Sequence, residues 1–249
     1  RAYVGYVLTQ RVIDFVVLTK VEGEKDLENF WRPAPPMPPY SHVCQIGDPI
    51  LRYEAEPVIQ SEIHSDRIQK VVKKLKKVLY TYDSVGISAP QIGIPLKIFI
   101  IEFREDRKKE ISPEIYKLRD MSTIPLQVFI NPEMKVQNYE KLVFPEGCES
   151  VRGFAADVPR YKEVTVSCEC LLVLNWAGLN ERGEAVSLQV AGWPARIVQH
   201  EMDHLIGRLY TDSMMRSSLA CTAWHQVNVS GGKLHIPYTP KKKNYSYRN

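Results

Sequence analysis

Between residues 65 and 80 the apolar side chains of Ile68, Val71, Val72, Leu75, Val78 and Leu79 recur at three- and four-residue steps, the spacing of a helix with one buried face. Ser65 or Asp66 is placed to cap its start. Lys70, Lys73, Lys74, Lys76 and Lys77 fall mostly on the opposite side. No aromatic residues are interleaved there to stack on bases, so they read as a solvated face and not as a nucleic-acid patch. A glycine-punctuated turn over residues 85–93 leads into an apolar run over 96–103 that predicts a strand. Residues 104–123 are charged and predict a loop with a short helix. Residues 128–130, 142–144, 164–166 and 186–188 predict further strands, with a hairpin turn at 180–183. Residues 194–206 predict the second main helix, since Pro194 suits a first turn and Gly207 suits the end. Short strands with few helices predict an α+β domain, not an alternating α/β one.

The flanks differ from this body. Residues 21–40 contain the run Pro33-Ala34-Pro35-Pro36-Met37-Pro38-Pro39, which neither a helix interior nor a central strand accepts. Residues 1–40 therefore read as an N-terminal extension and linker, residues 41–213 as the globular body, and residues 214–249 as a basic, partly disordered C-terminal extension. Residues 1–20 mix arginine and lysine with apolar stretches. They are compatible with a transit-sequence remnant, although they lack the usual serine richness. Composition adds little: 44% hydrophobic, 25% charged and a net charge of +4 describe an ordinary globular chain. No apolar run is long enough to span a bilayer. Five cysteines without a framework spacing do not form a secreted disulfide scaffold. Cys168 and Cys170 read as packing residues.

The most specific local signal is His200-Glu201-Met202-Asp203-His204. Residues four apart share a helix face, so both imidazoles can hold one metal ion with Glu201 beside them to handle a proton. A catalytic site of this kind usually takes three protein ligands. No glutamate or histidine follows at the spacing that metallopeptidase helices use. The upstream candidate is Cys148, in Phe144-Pro145-Glu146-Gly147-Cys148-Glu149-Ser150, where Gly147 allows an unusual backbone turn. A lone cysteine is more often a buried apolar residue than a ligand, so the third ligand stays open on position alone.

Three segments together resemble the peptide deformylases. Ser84-Val85-Gly86-Ile87-Ser88-Ala89-Pro90-Gln91 is similar to that family's glycine-rich segment ending in Ala-Pro-Gln. Glu146-Gly147-Cys148-Glu149-Ser150 is similar to its Glu-Gly-Cys-x-Ser, and Gln199 with the helix pentad and Leu205 matches its third motif in full. The resemblance covers roughly residues 42–213. Ser84 and Ser88 depart from the glycine and alanine common in the family and Glu149 from the leucine usual in bacterial members; Ser88 and Glu149 look more like the animal mitochondrial branch. The 167–176 stretch lengthens a hairpin that is short in the family.

The resemblance implies antiparallel sheets packed around a central metal-binding helix, and hydrolysis of the N-formyl group from formyl-methionine at the start of nascent polypeptides. It implies Cys148, His200 and His204 as ligands of one divalent metal ion, with Fe2+ native and Zn2+, Co2+ or Ni2+ admitted by the same donors. It implies Glu201 as acid–base, Gln91 and the Glu149 backbone N–H as oxyanion donors, and Gly86, Gly147 and Glu149 beside the substrate. Mitochondrial location and a transient ribosome contact follow from the subgroup, with no specific nucleic acid and no implied oligomeric state. Two rivals stand beside it. A metallopeptidase cutting internal bonds would share the pentad but need another third ligand. A non-catalytic homologue could bind ribosome or RNA through the lysines near 70–77 and Lys241-Lys242-Lys243.

Overall fold

The computed structural model describes residues 36–168 and 180–240. Expectations for residues 1–35, for the apolar stretch over 169–179 with Cys170, for the Cys168 side chain and for the lysines at 241–243 lie outside the described residues.

Helix α1 (Asp66–Tyr82) forms where the periodicity predicts it. The Ser65 hydroxyl accepts from the Ile68 N–H, and Asp83 closes the helix in the left-handed region with φ of 53°. The glycine-punctuated segment is more regular than a turn. It forms strand β1 (Gly86–Ser88) and then a 3-10 turn over Ala89–Ile92. The strand exists because β2 (Ile98–Phe103) offers it an edge, with Gly86 opposite Ile101 and Ser88 opposite Phe99. Strand β3 (Ile124–Ile130) pairs with the other edge of β2, giving an antiparallel sheet of order β1-β2-β3. The charged connection between β2 and β3 holds two short helices, α2 (Glu105–Lys108) and α3 (Pro113–Leu118).

Strands β4 (Glu133–Gly147) and β5 (Phe154–Cys168) are much longer than their apolar patches suggest. Mixed polar residues extend each strand because the two pair along nearly their whole length, from Glu133 opposite Ser167 to Gly147 opposite Ala155. On the far edge of β5, β6 (Val186–Ala191) pairs with one end and the short β7 (Ala220–Cys221) with the other. The 180–183 turn is present before β6, where the Gly183 N–H donates to the Asn180 carbonyl at 3.0 Å. Lys76, on the basic face of α1, is tied to this turn by an ion pair with Glu181 at 2.5 Å.

Helix α4 (Gly192–Leu205) starts two residues before the predicted proline and ends as expected. Gly207 follows with φ of +70°, and a Cβ there would lie 2.6 Å from the Arg52 carbonyl oxygen, so the chain turns away in a conformation and a space that favour glycine. Strand β2 is buried on both faces and shows the strand's two-residue period. Ile98 and Ile100 pack with Val72, Leu75 and Leu79 of α1, while Phe99, Ile101 and Phe103 pack with Ala195, Ile197 and Val198 of α4. Val164 and Val166 of β5 join that second cluster, so α4 lies between the two sheets. The architecture is α+β, as the sequence predicts.

Residues 214–240 are structured. They contain β7, helix α5 (Trp224–Val229) and a segment that ends near α1, where the Thr239 and Tyr82 hydroxyls are 3.1 Å apart. Their link to the body combines the backbone pairing of β7 with scattered side-chain contacts, which leaves no hydrophobic period to read in the sequence.

Leu75 is fully buried where α1 meets β2. Leu75→Ala is expected to lower unfolding free energy by about 2–5 kcal/mol, read as a shift of the urea midpoint. An unchanged midpoint would contradict the packing of α1 on the sheet.

Candidate metal centre

Helix α4 presents His200 and His204 on one face, and the end of β4 delivers Cys148 to them. Cys148 caps a 3-10 turn over Glu149–Val151, and its sulfur accepts from the Ser150 N–H. Potential donor atoms of Cys148, His200 and His204 all lie within 4.8 Å of one another, and among the described residues this is the cluster able to hold a metal ion. Cys148 Sγ and His204 Nε2 are 3.4 Å apart. Two such donors on a tetrahedral ion, at their usual bond lengths, are separated by about 3.6 Å. The residues therefore fit a thiolate–diimidazole metal site, and Cys148 is the donor that the fold brings beside the two imidazoles.

Glu146 is the residue that sequence reading missed. Its buried carboxylate accepts from His200 Nδ1 at 3.0 Å, from Arg196 Nη1 at 2.7 Å and from Arg160 Nε and Nη2 at 2.9 and 3.0 Å. Arg160 also donates to Asp203 at 2.6 Å, so one of the pentad's three middle residues binds the helix to β5. Burial alone would raise the Glu146 pKa, but the hydrogen bonds and charges of His200 and Arg160 outweigh it and hold the carboxyl well below its ordinary range. Burial likewise opposes charge on His200, yet Cys148 and Glu146 together raise its pKa. His204 is shifted the other way, by burial first and then by the charges of His200 and Arg160. A neutral imidazole is the form that ligates metal. Its Nδ1 has no hydrogen-bond partner, and Tyr210 stacks its ring on His200 with centroids 6.4 Å apart.

Glu201 projects into the same space at 3% exposure, with Oε2 lacking a hydrogen-bond partner. Burial raises its pKa to about 7, with the His200 charge opposing and Glu146 adding. Gly86 leaves room for Glu201: a Cβ on residue 86 would lie 2.4 Å from Glu201 Oε1. The missing side chain therefore faces the carboxylate, and the residue also lines the pocket. Gly147 corrects one expectation, that of an unusual backbone turn. It ends β4 without a left-handed φ, and a Cβ would make only an ordinary 3.6 Å contact with the Phe154 carbonyl.

Gln91 is 2% exposed and clamped at both ends. Its Oε1 accepts from the Ser88 N–H at 2.9 Å and the Ser88 hydroxyl at 3.1 Å. Its Nε2 donates to Ser150 Oγ at 3.1 Å and lies 3.5 Å from Cys148 Sγ. The departure at Ser88 thus adds an anchor for the Gln91 amide. Ser84, another departure, donates its hydroxyl to the Gly86 carbonyl at 2.8 Å. Glu149 opens the 3-10 turn, a position whose N–H has no partner within the turn. Its side chain pairs with Arg152, and Gln45 Nε2 holds its carbonyl at 2.8 Å. A pocket of about 540 Å3 connects these groups, lined by Gly86, Gln91, Cys148, Glu149, His200 and Glu201 among others.

Comparison with known proteins agrees with this geometry. Residues 40–219 match the family model described as Polypeptide deformylase. The mitochondrial peptide deformylase of Homo sapiens is 41% identical over 214 residues, which is 84% of this chain and 84% of that protein. The chloroplastic peptide deformylase 1A of Solanum lycopersicum is 40% identical over 172 residues, 69% of this chain and 58% of that protein. A solved class I type b peptide deformylase from Acinetobacter baumannii with bound Met-Ala-Ser superposes with a TM-score of 0.57 at 30% identity, over 69% of this chain and 96% of that one.

Removing the charge of Glu146 tests the support of the centre. Glu146→Gln is expected to weaken cobalt affinity about 10- to 100-fold in a chelator competition, because His200 loses its charged partner. Affinity equal to that of the unaltered chain would show that Glu146 does not orient the ligand.

Proposed function

The chain belongs to the peptide deformylase family, and from that premise we propose that it hydrolyses the N-formyl group from formyl-methionine at the start of nascent polypeptides, releasing formate. The observation that carries this reading is the convergence of Cys148, His200 and His204 beside the buried Glu201 carboxylate and the clamped Gln91 amide.

Cys148, His200 and His204 would hold one divalent ion, ferrous iron as the native one, with zinc, cobalt or nickel accepted by the same soft-plus-imidazole donors. Such an ion supplies Lewis acidity, polarising the formyl carbonyl and easing deprotonation of water. Glu201 takes the proton from the attacking water at its carboxylate and returns it to the leaving amine. Its buried Oε2, without a hydrogen-bond partner, on a residue that lines the pocket, supports that role. Gln91 Nε2 and the Glu149 backbone N–H are the proposed donors to the oxyanion that develops on the formyl oxygen. Ser88 and Ser150 keep the glutamine amide aimed while charge builds. Gly86, Gly147 and the Glu149 backbone line the route by which the peptide's first residue enters. Val85, Trp193 and Ile197 give that part of the lining its apolar character, suited to a methionine side chain.

Nascent formyl-methionyl peptides are the proposed substrates, met through transient ribosome contact. The proposed compartment is the mitochondrion, supported by the 41% identity with the Homo sapiens protein of that compartment. Among the described residues no helix is long and apolar enough to cross a membrane.

An anaerobic assay of formate release from formyl-Met-Ala-Ser, with iron or cobalt loaded, tests the reaction. The unaltered chain is expected to turn over, and Glu201→Ala to lose about 10²- to 10⁴-fold in kcat while still binding one ion. Cys148→Ala is expected to lose tight metal binding. Full activity in Glu201→Ala would remove the acid–base assignment. No turnover by the metal-loaded unaltered chain would leave a binding role in place of catalysis.

A further inference from the structure

The pocket is larger than its floor requires. About 540 Å3 lies in the range that accepts a drug-sized molecule and not merely one side chain. Gln91, Glu146 and Glu201 are its buried part, whereas Phe154 at 45% and Ile236 at 36% exposure form part of its rim. Ile236, Thr222 and Ala223 reach the lining from beyond residue 219, where the family match ends.

The segment that carries them is fastened at both ends. At one end β7 pairs with Phe154 and Ala155, and the N–H and hydroxyl of Thr222 both donate to the Gly153 carbonyl, at 2.9 and 3.2 Å. At the other end Thr239 meets the Tyr82 hydroxyl at 3.1 Å. Between the two, Ile236 lies close over Gly153: a Cβ on that glycine would sit 3.2 Å from Ile236 Cδ1. Gly153 has φ of +90°, so this near approach falls at a backbone position that itself favours glycine.

We propose that the C-terminal strap over residues 220–240 is a specificity wall, and that Ile236 with Phe154 receives an apolar side chain from the peptide downstream of its first methionine. The proposal rests on the deformylase reading. A peptide whose formyl end is at the buried centre must leave the pocket across its rim. Two half-exposed apolar side chains there gain stabilisation when a peptide side chain covers them. Glu149 and Arg152, which also line the pocket, are paired with each other and so offer little net charge to attract an acidic or basic residue.

The test compares the unaltered full chain, Ile236→Ala and Ile236→Asp on formyl-methionine amide and on formyl-Met-Ala-Leu, with thermal midpoints measured beside the kinetics. Ile236 is at the surface, so the midpoints are expected to stay in place. On the tripeptide KM is expected to rise about threefold for Ile236→Ala and about tenfold for Ile236→Asp, with kcat preserved and the single-residue substrate unaffected. Equal changes on both substrates, or no change on either, would overturn the proposal. Failure of the unaltered chain to turn over even formyl-methionine amide would instead sink the deformylase reading, and the wall with it.

Discussion

Glu146 lies two residues before Cys148, and its carboxylate is shared by Arg160 of β5 and by Arg196 and His200 of α4. Two consecutive strands and a helix about 50 residues further on thus meet on one buried anion. Asp203 completes the set by holding Arg160 from the helix side, so two carboxylates face two guanidiniums and the formal charge balances. An ionised group removed from water is tolerated only when paired, and loss of one partner from a buried set typically costs about 3–5 kcal/mol. Each member therefore depends on the others. Arg196 adds neutral bonds, donating to the carbonyls of Leu142 and Val158 at 2.7 and 2.8 Å, which ties the charge cluster to the paired strands. The same bond that stabilises Glu146 also sets His200. With Nδ1 committed to the carboxylate, Nε2 is left as the ring atom able to ligate.

The elements that make up the centre were unequally legible. His200 and His204 could be read because their juxtaposition is purely local, fixed by helical geometry. Cys148 could not be derived from position, since its approach depends on where β4 ends against β5; only its motif marked it. Glu146 sits inside that motif, yet nothing local says that its partners are Arg160 and Arg196. Those partners follow from the register that places Leu142 opposite Arg160 and from the packing of α4 on β5. The two apolar patches at 142–144 and 164–166 understated their strands because pairing, not burial, extends them through polar residues. β1 was missed for a related reason: a three-residue strand exists only because its neighbour supplies an edge. α1, by contrast, was legible almost to the residue, because one face carries the whole signal.

The departures at Ser84, Ser88 and Glu149 also gain a physical account. Each contributes a polar contact close to its own position in the chain: Ser84 to the Gly86 carbonyl, Ser88 to the Gln91 amide and Glu149 to Arg152. None displaces a presumed ligand.

The near contact between Gly86 and the Glu201 carboxylate makes two positions 115 apart in sequence number share one space. A lineage can enlarge residue 86 only if residue 201 shrinks or withdraws. The glycine is thus an indirect record of the carboxylate. In a related sequence whose helix motif is truncated or misread, an alanine or larger residue at the equivalent of position 86 would signal that the carboxylate has been displaced, even where the counterparts of Cys148, His200 and His204 survive. The two positions are expected to be inherited as a pair.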